Sequence, residues 1–335
     1  MRVLLWHVHG SWTTAFVQGE HEYLVPVLPD RPADGRGRAQ TWDWPASVRE
    51  LGPAELRRAF DDEGVDAVVL QRPHEARLLR EWTGRRAGRD VPTVYLEHDA
   101  PGGPAAATRH PLADVDVAAE GHVPIVHVTQ FNALMWDTGP ARTAVIEHGI
   151  PDPGHRYTGE RERVAAVVNE PVRRWRAAGT DVLLQVARQA PAEVYGMGTA
   201  LLAEHLSPLG PTAAGAADRL YDLPQAELHD RLAGARVYLH PYRWTSLGLA
   251  LLEAMALGLP VLALPVTAAY AAVPPEAGVL SADPDELAAV ARRWLADPSE
   301  AAAHGKVARE HVLTHYPLDR FLDRWTTLLT QEVSP

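Results

Sequence analysis

Short apolar runs of strand length alternate with helical stretches along the chain, and the alternation starts over once. RVLLWHV and YLVPVLP open it. A helix around Ala54–Glu63, the strand DAVVLQ, a helix over Glu75–Arg85, the strands TVYLEH and IVHVTQ, a short helix FNALMW and the strand TAVIEHG follow. Strands joined through crossover helices run parallel, and a parallel sheet needs cover on both faces, so this half predicts an α/β domain. Gly149-Ile150-Pro151-Asp152-Pro153 reads as a linker. Beyond it come strand RVAAVVN, helix WRAAGTDVLLQVARQ, strand AEVYGMG, helix QAELHDRLAGA, strand RVYLHPY, a helix over Leu247–Leu257, strand PVLALPV and helix DELAAVARRWL. The second half is therefore a doubly wound sheet as well.

A chain of 335 residues is too long for one ordinary core. The expected division is 1–153, 154–316 and a closing segment 317–335, in which Phe321, Trp325 and Leu328 form one stripe of an amphipathic helix. A net charge of -11 without a Lys/Arg block argues against a nucleic-acid partner. The absence of cysteine removes disulfides, zinc–thiolate sites and a thiol nucleophile, and it suits a reducing cytoplasm. MRVLLWHVHG lacks the basic and long apolar regions of a signal peptide and reads as a first strand; no apolar run reaches about 18 residues. A transmembrane segment is not expected, and peripheral membrane contact stays open.

Residues 237–266, VYLHPYRWTSLGLALLEAMALGLPVLALPV, carry the chemistry. A strand ends in Thr245-Ser246-Leu247-Gly248, and the helix that follows holds a single carboxylate, Glu253, among apolar neighbours. Unpaired N–H groups at a helix N-terminus make an anion site suited to a diphosphate. Ser246 and Glu253, seven residues apart, are expected on one helix face about 10 Å apart, roughly the span of a nucleoside diphosphate. A carboxylate in such surroundings needs a partner: the paired hydroxyls of a ribose, or else a neighbouring strand or arginine.

S-L-G-L-A-L-L-E-A-M-A-L-G-L-P-V-L-A resembles the donor-site motif of retaining GT-B glycosyltransferases of the GT4 family, in the glycogen-synthase-like superfamily, P-S-x-x-E-x-F-G-L-x-x-x-E-A-M-A-x-G-x-P-V. A-V-I-E-H-G-I-P-D, D-V-L-L-Q-V-A and V-Y-G-M-G are similar to further family segments, so the likeness covers most of the second half. It implies two Rossmann-like domains whose parallel sheets face an interdomain cleft, with acceptor bound by the first domain and nucleotide-sugar donor by the second. It also implies that the closing helix returns to the first domain, that Glu253 binds the ribose and that the turn Ser246, Leu247, Gly248, Leu249 lies against the diphosphate. The family's first Glu, which touches the donor sugar near its 3-hydroxyl, falls on Thr245; a helix N-cap is the plainer role for a threonine there.

Arg173 matches a family arginine that neutralises the diphosphate, while Ala178 stands where a family lysine would be, so Arg174 or Arg176 is a candidate replacement. A solvated basic helix start is the alternative. Gly196, in Gly196-Met197-Gly198, ends a strand that in the family borders the donor cleft. Asp222 and Leu223, in Tyr221-Asp222-Leu223-Pro224, correspond to the loop that meets the nucleobase, or form an ordinary turn. Glu97-His98-Asp99 resembles T-x-H-D, whose His contacts the donor sugar or reaction centre, and Gly10 matches the N-terminal Gly loop; each has a purely structural alternative. His7, His74 and His148 have weaker claims, the long loop at 30–45 is a candidate functional segment, and Asp114-Val115-Asp116 reads as a solvated loop rather than a metal motif.

The function expected from the resemblance is metal-independent transfer of a hexose from a nucleotide diphosphate sugar, UDP- or GDP-linked, to a small-molecule, glycan or lipid-linked acceptor with retention of configuration. His98, Arg173 and Arg174 would stand nearest the chemistry. No further cofactor is implied. A nucleotide-sugar-binding protein without turnover and a GT-B nucleotide-sugar epimerase are the alternatives.

Overall fold

The computed structural model describes residues 1–103, 106–113 and 123–333. The chain splits into two compact units, residues 1–149 together with the segment from Leu318 onward, and Ile150–Pro317. In the first unit the strands are β1 (Arg2–Leu5), β2 (Glu22–Pro26), β3 (Val48–Leu51), β4 (Ala67–Leu70), β5 (Thr93–Glu97), β6 (Ile125–His127) and β7 (Thr143–Val145). They form one parallel sheet in the order β3-β2-β1-β4-β5-β6-β7. Leu4 sits between Leu24 and Val68 in register, and β4 is buried along its whole length, as a central parallel strand must be.

The second unit holds β8 (Arg161–Val167), β9 (Ala192–Tyr195), β10 (Leu220–Tyr221), β11 (Ala235–His240), β12 (Val261–Ala263) and β13 (Gly278–Leu280), also parallel, in the order β10-β9-β8-β11-β12-β13. All six residues of β11 are buried, with Leu239 between Ala166 and Leu262. Each order reverses beside the first strand of its unit, and in open α/β sheets the carboxyl ends of the strands at such a switch are where ligands bind.

The first unit completes its core with the far end of the chain. The helix Leu318–Val333 buries Phe321, Trp325 and Leu329, and Trp325 meets Trp12 and Phe16 edge-on at 5.6 and 5.2 Å. The buried stripe thus runs 321, 325, 329, each step i to i+4, and the expected Leu328 is only half-buried. Several elements went unanticipated: the helix Gly10–Phe16, strands β3, β10 and β13, and the eighteen-residue helix Pro298–His315. The expected helix through WRAAGTDVLLQVARQ is two helices, Trp175–Ala178 and Thr180–Ala187, separated by Gly179 at φ +69°. Asp114-Val115-Asp116 lies outside the described residues. Among the described residues no helix is long and apolar enough to cross a membrane.

Candidate functional site

In the second unit the carboxyl ends of β8, β9 and β11 are tied together by Asn169. Its N–H donates to the Tyr242 hydroxyl at 3.2 Å and its Oδ1 accepts the Met197 N–H at 3.0 Å, while the Glu170 N–H donates to the Met197 carbonyl at 2.8 Å. Gly196, at φ +125°, closes this corner, and a β-carbon there would press on the Val168 carbonyl and on Asn169. Arg173 and Arg174 stand on the loop leaving β8. Arg173 is largely exposed and reaches Glu170 at 3.4 Å, whereas Arg174 lies over the Tyr242 ring at 5.8 Å and has no carboxylate partner among the described residues. Arg176 differs, since it and Arg243 both grip Asp181 and are thereby committed.

The chain leaving β11 is laid on this platform. The N–H groups of Arg243 and Trp244 donate to the Ala177 carbonyl at 3.0 and 3.2 Å, and a β-carbon on Gly179 would overlap the Pro241 carbonyl. Thr245, Ser246, Leu247 and Gly248 follow, and the helix Leu249–Leu257 begins with Gly248 as its N-cap. Two expectations are corrected here. Thr245 lies three residues before the N-cap Gly248 and is not the cap, and Ser246 precedes the helix and shares no helical face with Glu253. The reason is a tertiary contact: His240, buried at the end of β11, has its ring against Gly248, where a β-carbon would come within 2.5 Å of Cε1. Only a glycine lets the turn close on that ring, so the helix starts after it. Burial pushes His240 down to about 4, which keeps it neutral.

Glu253 is 8% exposed, as its apolar neighbours suggested. Its protein partners are neither a strand nor an arginine: Oε1 accepts Gln225 Nε2–H at 3.1 Å and Oε2 lies 3.3 Å from His229 Nε2. Both partners sit on the helix Gln225–Gly234. Asp222, exposed, and Leu223, half-buried, form the turn between β10 and that helix. The structure therefore brings Arg173, Arg174, Gly196 and Thr245–Leu249 to one edge of one sheet. Asp222 and Leu223 lead into the helix that holds Glu253. Gln225, His229 and His240 were not singled out from the sequence; the i, i+4 spacing of Gln225 and His229 was the available signal.

In the first unit His98 follows β5, 8% exposed. Its Nε2 is 2.8 Å from Gln71 Oε1, and Gln71 Nε2 donates to the Trp6 carbonyl at 2.6 Å. A carbonyl only accepts, so the amide orientation is fixed and His98 carries its hydrogen on Nε2. Burial holds His98 well below the ordinary range, with His9, 4.0 Å away ring to ring, and His148 adding to the effect; His148 is itself pushed down to about 3. His7 and His74 are engaged elsewhere, by the Gly37 carbonyl at 3.0 Å and Asp34 at 2.8 Å. Gly10 begins a helix, and the space a β-carbon would need there is filled by the ring of Trp42. Only a glycine at position 10 leaves room for this indole from the 30–45 loop.

Residues 177–297, within the second unit, match the family described as glycosyl transferases group 1. No curated protein matches the sequence. Among solved structures, sucrose-phosphate synthase from Thermosynechococcus elongatus is 16% identical over 98% of both chains with a TM-score of 0.70. HepE of Anabaena in complex with UDP is 16% identical over 99% of this chain and 100% of its own, also with a TM-score of 0.70. A glycosyltransferase from Rickettsia africae is 12% identical over 99% and 98%, again at 0.70. At these identities the likeness is one of architecture, and the architecture is GT-B.

Proposed function

We propose that the chain is a retaining glycosyltransferase of the GT4 kind, acting in the cytoplasm without a metal on a UDP- or GDP-linked hexose. The acceptor belongs to the small-molecule, glycan or lipid-linked classes. The observation that carries the reading is Glu253, a nearly buried carboxylate with no arginine or lysine partner among the described residues, on the helix that follows the Thr245–Gly248 turn. A carboxylate has about four acceptor positions, and two are used by Gln225 and His229; a ribose diol suits the remainder. The helix N-terminus at Leu249 and the side chains of Arg173 and Arg174 suit the diphosphate, whose charge grows as the glycosidic bond breaks. With transfer on the face from which the phosphate leaves, that phosphate takes the acceptor proton and no separate base is required. Support for UDP comes from the HepE structure, which holds UDP. In the first unit, His98, whose Nδ1 makes no hydrogen bond among the described residues, would offer it to a sugar hydroxyl.

Thr245 favours one other reading, a nucleotide-sugar-binding protein without turnover, because the carboxylate that would meet the sugar is missing. Calorimetry with UDP, GDP and ADP, followed by product analysis with the corresponding sugars in EDTA, tests both. A new α-linked glycoside from an α-linked donor in EDTA is the expected result. Tight donor binding with unchanged donor selects the second reading, and activity recovered only with Mg²⁺ removes the metal-free mechanism.

A further inference from the structure

Burying a carboxylate against an amide and an imidazole, with no arginine or lysine partner among the described residues, is a costly arrangement unless its direction matters. Gln225 and His229 are four residues apart, so one face of the helix Gln225–Gly234 is given over to Glu253. Each of the two carboxylate oxygens receives one donor, at 3.1 and 3.3 Å, which fixes the rotation of the carboxylate as well as its position. Because a carboxylate accepts, His229 presents its hydrogen on Nε2. The same helix starts directly after the Tyr221–Pro224 turn, so the element that aims Glu253 is continuous with the loop proposed to meet the base.

We infer that Gln225 and His229 are positioning residues that set the ribose specificity of the nucleotide site. They hold Glu253 so that its remaining acceptor positions face a cis-diol, and they make the site discriminate ribonucleoside from deoxyribonucleoside diphosphates. The inference rests on the nucleotide-site reading given above. A site built to bond a hydroxyl rejects the analogue that lacks it far more strongly than a site that merely accommodates it.

The experiment is calorimetric titration of the full chain with UDP, 2′-deoxy-UDP and 3′-deoxy-UDP, with GDP and its deoxy forms in parallel. The wild type should bind the ribonucleotide about 10-fold or more tightly than either deoxy form. His229→Leu, and Gln225→Leu with it, should bring that ratio to within about 3-fold, while His229→Gln, which keeps an N–H donor, should restore most of it. A purely structural role would weaken all ligands alike and leave the ratio unchanged. Equal affinity of the wild type for ribo and deoxy forms overturns the inference and leaves the nucleotide site standing, as does a wild-type ratio retained in folded His229→Leu and double variants. If neither UDP nor GDP binds the wild type, the nucleotide-site reading falls and this inference with it. Should His229→Leu not fold, the wild-type ratio and the His229→Gln titration decide the matter.

Discussion

At the carboxyl ends of β1, β4 and β5 the first unit gathers His7, His9, Gln71 and His98, whereas at the carboxyl ends of β8, β9 and β11 the second gathers Arg173, Arg174, Arg243 and Tyr242. The two sheets share a plan and place opposite chemistry on it. Desolvation holds His98 and His148 uncharged, so the first edge offers neutral donors and acceptors suited to hydroxyl groups. The second edge has fixed positive charge, a helix N-terminus and, on that same helix, the nearly buried carboxylate of Glu253. The same parallel architecture can therefore carry neutral or cationic side chains at its strand ends by changing only the residues that follow each strand.

The largest expected effect separates the units by how they are held together. Ending the chain at Pro317 removes Phe321, Trp325 and Leu329, each worth about 1.5–3 kcal/mol of burial, from the first core alone. Calorimetric scanning should then show the first unit unfolded and the second retaining its own transition. A truncated chain with two intact transitions would mean that the first core does not depend on this helix.

Acid should separate them next. A histidine whose folded pKa lies below its unfolded value binds its proton more readily in the unfolded chain, so stability is lost as pH falls from about 6.5 toward the folded value. His127, pushed down to about 4, withdraws about 3 kcal/mol from the first unit over that range, and His148, pushed down to about 3, about 5 kcal/mol. In the second unit His240 acts alike. Amide exchange read by mass spectrometry at pH 7 and pH 5 should show β5–β7 opening well before β8 and β11; uniform protection at pH 5 contradicts this.

Glu253→Ala should weaken UDP or GDP binding about 10- to 100-fold, the worth of hydrogen bonds to a charged group. Thr245→Ala should leave the free diphosphate untouched and alter only sugar choice or turnover. Reversed results in titrations with free nucleotide would exchange the two roles. Smaller still, Arg174→Ala should cost about 1.5 kcal/mol or more of diphosphate affinity, and Arg173→Ala less, because Arg173 is exposed and already paired with Glu170. If the double variant binds the diphosphate as the wild type does, the phosphates lie elsewhere.

Much of this architecture was readable where apolar runs were long. β4, β5, β8 and β11 are buried along most or all of their length and announce themselves as AVVL, TVYLE, RERVAAV and ARVYLH. β3, VREL, hid because its two middle residues are polar, as an edge strand permits. The helix Pro298–His315 went unread although Asp297-Pro298-Ser299-Glu300 signals its start, with Asp297 accepting from the N–H groups of Ser299 and Glu300. The position of Glu253 followed from its neighbours, but its partners did not, since the face of the helix Gln225–Gly234 that meets it is known only once the two helices pack. The helix start was misjudged for a similar reason, because the His240 ring that forces Gly248 into the cap is a tertiary contact.

Gly179 places a practical boundary on attempts to rebuild the Thr245–Gly248 turn. Its backbone lies so close to Pro241 that a single methyl group would drive apart the segment bearing Arg173 and Arg174 and the segment bearing Thr245 to Gly248. On the proposed donor-site reading, Thr245 is the position to vary toward new sugars while position 179 stays glycine. Conversely, Gly179→Ala offers a means of misaligning the whole edge without altering one charged or polar side chain.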